Sequence, residues 1–361
     1  MRVGIGAVVG ILGGPATYAR ELVAALARLG GHEYVVFTDR PDAFAACGLE
    51  TVAVPLRRTW EQVTWDHVAL PGLLRARRID LYHGTKNVLP WRLAVPAVVT
   101  VHDLAVYACP ETFAAPQRWH FRLVVPPSVR RAVRVIADSA HAGADLVARF
   151  GLPPARLRVV PLGVAATFLE PPGPDAVAAL RARYGLDGRL VACVGTIQPR
   201  KHVERVIEAF VRAGAAARGW TLAIAGRLRP GYAPPWLATL PPAVRFLGTV
   251  DDDELPALYA AAEVAMSASE YEGFGLSVAE AMAGGCAVVA VGTTSIPEVV
   301  GDAGVLVARS DVTLLAEALR RLLDDDAGRA ALGARGRTRA AGFTWTETAR
   351  RTRAVYEEAR G

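Results

Sequence analysis

Short apolar runs rich in Val, Ile and Leu alternate with amphipathic stretches from one end of the chain to the other. Runs of about four to eight such residues bounded by turn residues read as strands, and apolar positions three or four apart read as helices. In the first half this predicts a strand over Arg2–Val9, a Gly-rich turn at Gly10–Gly14 and a helix from Pro15 to Leu29. Pro15 suits a first helical turn, where its missing N–H costs nothing, and Leu22, Leu26 and Leu29 fall on one face. Further strands are expected at Tyr34–Thr38, Leu81–His83, Ala97–Val101, Val133–Asp138 and Leu157–Pro161.

The pattern breaks at Phe168–Pro174, a Pro/Gly-rich stretch that reads as a linker. Beyond it the alternation resumes with a strand at Leu190–Val194, a helix at Val203–Ala217 and strands at Thr221–Ala225 and Val244–Leu247. A helix at Asp252–Ala262, a strand at Glu263–Ser267, a helix at Leu276–Ala283 and strands at Ala287–Val291 and Val305–Val307 complete it. Strands that alternate with helices make α/β domains with parallel sheets, and such sheets bind ligands beyond the carboxyl ends of their strands. Two such domains are expected, at 1–167 and 168–343.

Length and composition agree: 361 residues, 52% hydrophobic and 21% charged, suit two folded domains with real cores. The net charge of +6 is modest and its arginines are scattered, so there is no basic tail of a nucleic-acid binder, only a weak pull toward anions. Nucleotide phosphates or an anionic membrane surface would fit. Among 41 Lys+Arg residues only Lys86 and Lys201 are lysines, which draws attention to both. Cys47, Cys109, Cys193 and Cys286 lack metal-ligand spacing and read as free thiols in a reducing compartment. The N-terminus reads as a strand rather than a signal peptide, and no apolar run is long enough to span a bilayer. A cytoplasmic protein, at most peripheral to a membrane, is expected.

The chemistry concentrates in two motifs. Ser269-Glu-Tyr-Glu-Gly-Phe-Gly-Leu-Ser-Val-Ala-Glu280 places Glu272 in a turn after a strand and Glu280 two turns into a helix. Gly273 and Gly275 allow close backbone approach to a ligand. The amides of Phe274, Gly275 and Leu276 open the helix and form an anion site that suits a diphosphate. Glu280 can accept hydrogen bonds from ribose hydroxyls. A capped, solvated helix start would explain either carboxylate alone, but not the pair with its glycines. The second motif, Gly195-Thr-Ile-Gln-Pro-Arg-Lys-His202, follows a strand and puts Arg200 and Lys201 at a helix N-terminus. Cations oppose the helix dipole there, so the placement makes sense if an anion lies between them and the amides.

These residues resemble the retaining family 4 glycosyltransferases of GT-B fold. The Glu272/Glu280 pair, Gly-Thr-Ile-x-Pro-Arg-Lys, Gly13-Gly14, Val159–Val164 and Phe246–Val250 carry the resemblance, which covers nearly the whole chain. It implies two facing Rossmann-like domains with a cleft between them, and a helix at about 344–361 that packs back on the first. It implies a nucleoside-diphosphate sugar held by Arg200, Lys201 and the amides after Glu272, with Glu280 on the ribose. Backbone near Gly248–Val250, including Val250, would meet the base, and Gly13 and Gly14 would add a contact. Glu272 would face the donor sugar and His102 would lie beside it, although a strand-end histidine satisfied within the fold is equally compatible with the residues alone. His83 is a weaker candidate on the acceptor side.

Gln198 and His202 stand where many members carry Glu and Asn, Thr196 replaces a basic residue, and Ala165 stands where Asp is usual. The Gly-Thr-Ile-x-Pro-Arg-Lys variant resembles mannosyl- and deoxysugar-transferring members, which implies GDP-mannose or a dTDP-sugar rather than UDP-glucose as donor of a hexose or deoxyhexose. The acceptor would be a hydroxyl of a glycan, a lipid-linked saccharide or a small natural product. No cofactor or metal is expected, because Asp251-Asp252-Asp253 reads as a helix-start cluster. A nonenzymatic binding module and a sugar phosphorylase are the rival readings. Finally, Gln117–Val125 with Arg130-Arg131 could dock on anionic lipid, or pack a helical face on the first sheet with Pro126 and Pro127 as an interruption.

Overall fold

The computed structural model describes residues 1–8, 13–56 and 59–361. Val9, where the first strand was expected to end, and Gly10, Ile11 and Leu12 of its turn lie outside the described residues. Two compact units emerge: Met1–Gly163 with Thr344–Gly361, and Val164–Phe343. The changeover falls at Gly163/Val164, just ahead of the expected 167/168. There Val164 N–H donates to Phe343 O at 2.9 Å, so the chain enters and leaves the second unit side by side. Phe168 belongs to that unit, on a short helix Ala166–Leu169, with its ring edge-on to Tyr259 at 5.9 Å. Pro174 already opens the next helix, Pro174–Tyr184, so the irregular part of the linker motif is brief.

The first unit holds seven strands: β1 (Arg2–Ala7), β2 (Glu33–Thr38), β3 (Glu50–Ala53), β4 (Leu81–Gly84), β5 (Ala97–Val101), β6 (Arg134–Ala137) and β7 (Leu157–Val159). All pair in parallel in the order β3-β2-β1-β4-β5-β6-β7. The central strands are near-continuous apolar runs, as a sheet covered on both faces requires; Val3, Ile5, Val98 and Val99 are fully buried. The helices Gly14–Leu29 and Trp345–Arg360 pack against each other. Thr344 caps the latter, its Oγ1 accepting the Glu347 N–H at 3.2 Å.

One expectation fails here. The helix Ala115–Arg131 runs straight through Pro126 and Pro127. The carbonyls that the two prolines leave without a donor belong to Arg122 and Leu123, both on exposed residues where water can serve them. Val124 O is met by Ser128 Oγ at 2.7 Å.

The second unit repeats the plan with β8 (Arg189–Val194), β9 (Trp220–Ala225), β10 (Val244–Gly248), β11 (Val264–Ser267), β12 (Ala287–Val291) and β13 (Val305–Val307). Their order is β10-β9-β8-β11-β12-β13, again all parallel. The helix expected over Val203–Ala217 ends at Arg212, with Gly214 at φ +66° just beyond. The helix expected from Asp252 starts at Leu255, because Asp251 O closes a turn with the amides of Glu254 and Leu255.

Each sheet therefore reverses its strand order once, at β1/β4 in the first and β8/β11 in the second. Crevices open at such switch points, beyond the carboxyl ends of the strands. Both sequence motifs lie there.

Candidate active site

In the second unit the loops leaving β8, β9 and β10 turn on glycines with positive φ: Gly195 (147°), Gly226 (151°) and Gly248 (69°). A Cβ on Gly226 would sit 1.8 Å from Gly195 O, so only glycine lets these two loops touch. After Gly195 a single 3-10 turn, Pro199–Lys201, presents the two cations. Arg200 is buried, with its Nη1 donating to Tyr271 O and approaching Glu272 Oε2 at 3.4 Å. Lys201 Nζ donates to Glu272 Oε1.

Glu272 itself is only 7% exposed. Burial alone would raise the pKa of its carboxyl, yet the charges of Lys201 and Arg200 hold it down to about 2. Its backbone is pinned as well. The N–H donates to Thr294 Oγ1 at 3.0 Å, and its carbonyl accepts from Ser295 Oγ at 2.9 Å. Thr294 does this at φ +54°, a strained position for a β-branched residue that costs on the order of 1–3 kcal/mol.

Gly275 (φ +99°) then opens the helix Leu276–Ala283, and a Cβ there would meet Ile296 Cδ1 at 2.6 Å. The first intrahelical bond runs from Val278 N–H to Gly275 O, so the amides of Phe274, Gly275 and Leu276 precede it, where a helix start offers no carbonyl of its own. Glu280 is 9% exposed on the second turn, close enough to Tyr259 to raise that phenol's pKa after burial has done most of the work. Val250 follows Gly248 and is buried. Val194, Ser267, Ser277 and Ala281 line a recess at the β8/β11 switch point.

One cation escaped the sequence reading. Arg229, in the loop after β9, has its pKa lowered by burial and then by the neighbouring charge of Arg200. Nothing in the spacing of the motif announces it, because it arrives from a different loop. The rim thus brings Arg229 near Arg200, while His202, next to Lys201, is paired with Glu204 and Glu270.

The first unit carries a different cluster at the ends of β4, β5 and β6. His102 Nδ1 pairs with Asp138 Oδ2 at 2.7 Å and Nε2 donates to Thr85 O at 2.7 Å. A carboxyl at one ring nitrogen and a carbonyl at the other favour the doubly protonated ring, while burial raises the pKa of the Asp138 carboxyl itself. Burial opposes the charge on the ring, but Asp138 raises the His102 pKa above its ordinary value. Asp138 was passed over in the sequence as a strand end. The register shows why it belongs: Val101 pairs with Ala137, so the next residues along, His102 and Asp138, emerge side by side. His83 is fully buried between Tyr356 OH at 2.7 Å and Thr100 Oγ1 at 2.8 Å, with its pKa pushed down to about 3 by burial and the charge of His102. That corrects the expectation of an acceptor contact: His83 is a core histidine. Gly13 (φ +106°) and Gly14 start the helix after β1, and a Cβ on either would meet no described atom within 4 Å.

Residues 188–325 match the family described as Glycosyl transferases group 1, and residues 12–168 match Glycosyltransferase Family 4. O-antigen chain mannosyltransferase B of Escherichia coli is 30% identical over 79% of this chain and 76% of its own length. The chain belongs to glycosyltransferase family 4. A second relative, the MMP α-(1→4)-mannosyltransferase of Mycolicibacterium hassiacum, is 34% identical over 76% of this chain and 68% of its own length. The fold is GT-B: HepE of Anabaena, solved with UDP-glucose, superposes with a TM-score of 0.79 at 18% identity over 99% of this chain and 100% of its own. The residues expected from the sequence to form the site fall in both units. Arg200, Lys201 and Glu272 form one cluster, with Val250, Glu280 and the residues Gly273–Leu276 in the same unit. His102, Gly13 and Gly14 belong to the other.

Proposed function

We propose that this glycosyltransferase takes its sugar from a nucleoside-diphosphate donor, GDP-mannose or a dTDP-sugar in preference to UDP-glucose, and transfers it with retention of anomeric configuration to a hydroxyl acceptor. The observation that carries the reading is the rim of the second sheet, where Arg200 and Lys201 converge on Glu272 beside the opening amides of a helix. Two cations at one rim suit a diphosphate, and the amides add donors that need no reorganisation. Mannosyltransferases among the relatives support a mannosyl donor.

In this reading the departing nucleoside diphosphate is stabilised by Arg200, Lys201 and the amides of Phe274, Gly275 and Leu276. A phosphate oxygen then accepts the proton of the acceptor hydroxyl on the same face of the sugar. Glu272 touches the donor sugar and Glu280 the ribose, while backbone at Val250 meets the base. His102 stands beside the transferred sugar as a fixed positive group, since both ring nitrogens are already bonded. Neither a metal nor an organic cofactor is assigned a step. Free cysteines, three of them buried, support a reducing, cytoplasmic setting. Among the described residues no helix is long and apolar enough to cross a membrane.

Proton NMR of the glycoside formed from an α-linked donor tests the reading. An α-linked product is expected; a β-linked product would overturn the retaining assignment while leaving the fold untouched.

A further inference from the structure

The helix Ala115–Arg131 carries apolar residues on both faces. Val124, Val125 and Val129 are buried and belong to the core of the first unit. On the opposite side Trp119 is 64% exposed and Leu123, one turn on, is 66% exposed. Beside them Trp91 is 53% and Val68 72% exposed. Among the described residues six large apolar side chains are exposed, and these four belong to one region.

Contacts tie the region together. Arg131 Nη1 donates to Pro90 O at 2.7 Å, and the Trp91 ring stacks on His67 at 4.1 Å. His67 lies alongside the helix, its pKa lowered by burial and then by the charges of His120 and Arg131. Along the helix itself the charge has a single sign. Residues 112–137 contain Arg118, Arg122, Arg130, Arg131 and Arg134 and no Asp or Glu. His120, Arg122, Arg130 and Arg131 are all exposed.

We propose that this face, Trp119 and Leu123 with Trp91 and Val68, rimmed by Arg122, Arg130 and Arg131, docks on an anionic lipid surface. Exposed aromatic and aliphatic side chains that the fold does not need mark an interaction surface. Tryptophan favours the headgroup boundary, and arginines reach phosphates while their stems cover apolar area. An all-basic rim selects an anionic bilayer over a neutral one.

The test is flotation of the full chain with vesicles of phosphatidylcholine alone and of phosphatidylcholine with phosphatidylglycerol. The wild type is expected to float with the anionic vesicles, less so as salt rises, and to stay behind with the neutral ones. Trp119→Ser with Leu123→Ser should weaken anionic binding by at least about tenfold, because each loses buried apolar area. Arg122→Gln with Arg130→Gln should abolish the preference for phosphatidylglycerol. All four side chains are exposed, so melting temperatures should match the wild type and exclude misfolding as the cause. Wild type that ignores anionic vesicles at low salt, or a Trp119/Leu123 variant that floats unchanged, overturns the proposal. So does sedimentation showing a dimer that the same variant abolishes, which would give the face to a second copy.

Discussion

The two sheets share one strand order, yet their carboxyl-end rims are opposite in character. The first is bonded largely within itself: hydrogen bonds join His102 to Asp138 and Thr85, and His83 to Thr100 and Tyr356, with Asp138 Oδ1 left as a buried oxygen without a partner among the described residues. The second is dense in charge: Arg200 and Lys201 meet Glu272, Arg229 lies near Arg200, and the helix that opens at Gly275 follows directly. Topology supplies a crevice in both units; the loops decide what it can hold. A rim lined with several cations suits an anion, whereas a rim bonded mostly within itself suits the orientation of a neutral group.

The largest expected effect falls on Glu272. In the proposed role it meets charge that develops on the sugar, and only interactions stronger in the transition state raise turnover. Glu272→Gln should lower kcat by about a hundredfold or more, the scale seen for one preorganised group. Affinity for the free nucleoside diphosphate should hold or rise, because the competing carboxylate is gone. Calorimetry beside steady-state kinetics separates the two; full turnover in the variant would break the assignment.

Next comes the first rim. Asp138→Asn removes the counter-ion of a buried imidazolium and should cost about 1–3 kcal/mol of stability at pH 6. By NMR titration the His102 pKa should drop from above 6.5 in the wild type to below it. The signs of the two histidines differ. The raised His102 pKa contributes stability that is full below about 6.5 and lost as pH rises through its folded value. His83, lowered to about 3, contributes stability that is full above 6.5 and lost as pH falls toward 3. Glu272, lowered to about 2, contributes above 4.5 and fades as pH falls toward 2. His83→Asn should therefore flatten the acid limb of the stability profile between 6.5 and 3.

The smallest effect is expected from chelation. EDTA should leave the transfer rate unchanged, and a loss restored by added Mg²⁺ or Mn²⁺ would give Asp251–Asp253 a role denied to it here.

How much of this was legible in the sequence depends on whether the signal is local. The helix Leu276–Ala283 matches its predicted bounds because glycines flank it at 275 and 284, and β5, β12 and β13 match because their apolar runs stop abruptly. The edge strand β3 escaped notice, since Glu50-Thr-Val-Ala lacks an apolar run and only Val52 is buried. Pro126 and Pro127 misled, because a helix can lose two hydrogen bonds where water replaces them. Within the sites, Arg200, Lys201 and Glu272 were readable from motifs, but their mutual pairing was not. Asp138 and Arg229 were invisible because each reaches its partner across strands, through register and loop packing rather than spacing.

The central claim is that the second rim, not the first, grips the diphosphate. The chain's two lysines allow a direct comparison: Lys201 lies in the cation cluster, while Lys86 lies in the first unit with Asp39 and Asp66 as its electrostatic neighbours. Calorimetric titration of GDP, dTDP and UDP into wild type, Lys201→Ala and Lys86→Ala would measure it. The account predicts that Lys201→Ala loses about 1.5–3 kcal/mol of binding, the worth of a charge-assisted contact, while Lys86→Ala binds as the wild type does. Equal affinity in wild type and Lys201→Ala would contradict it.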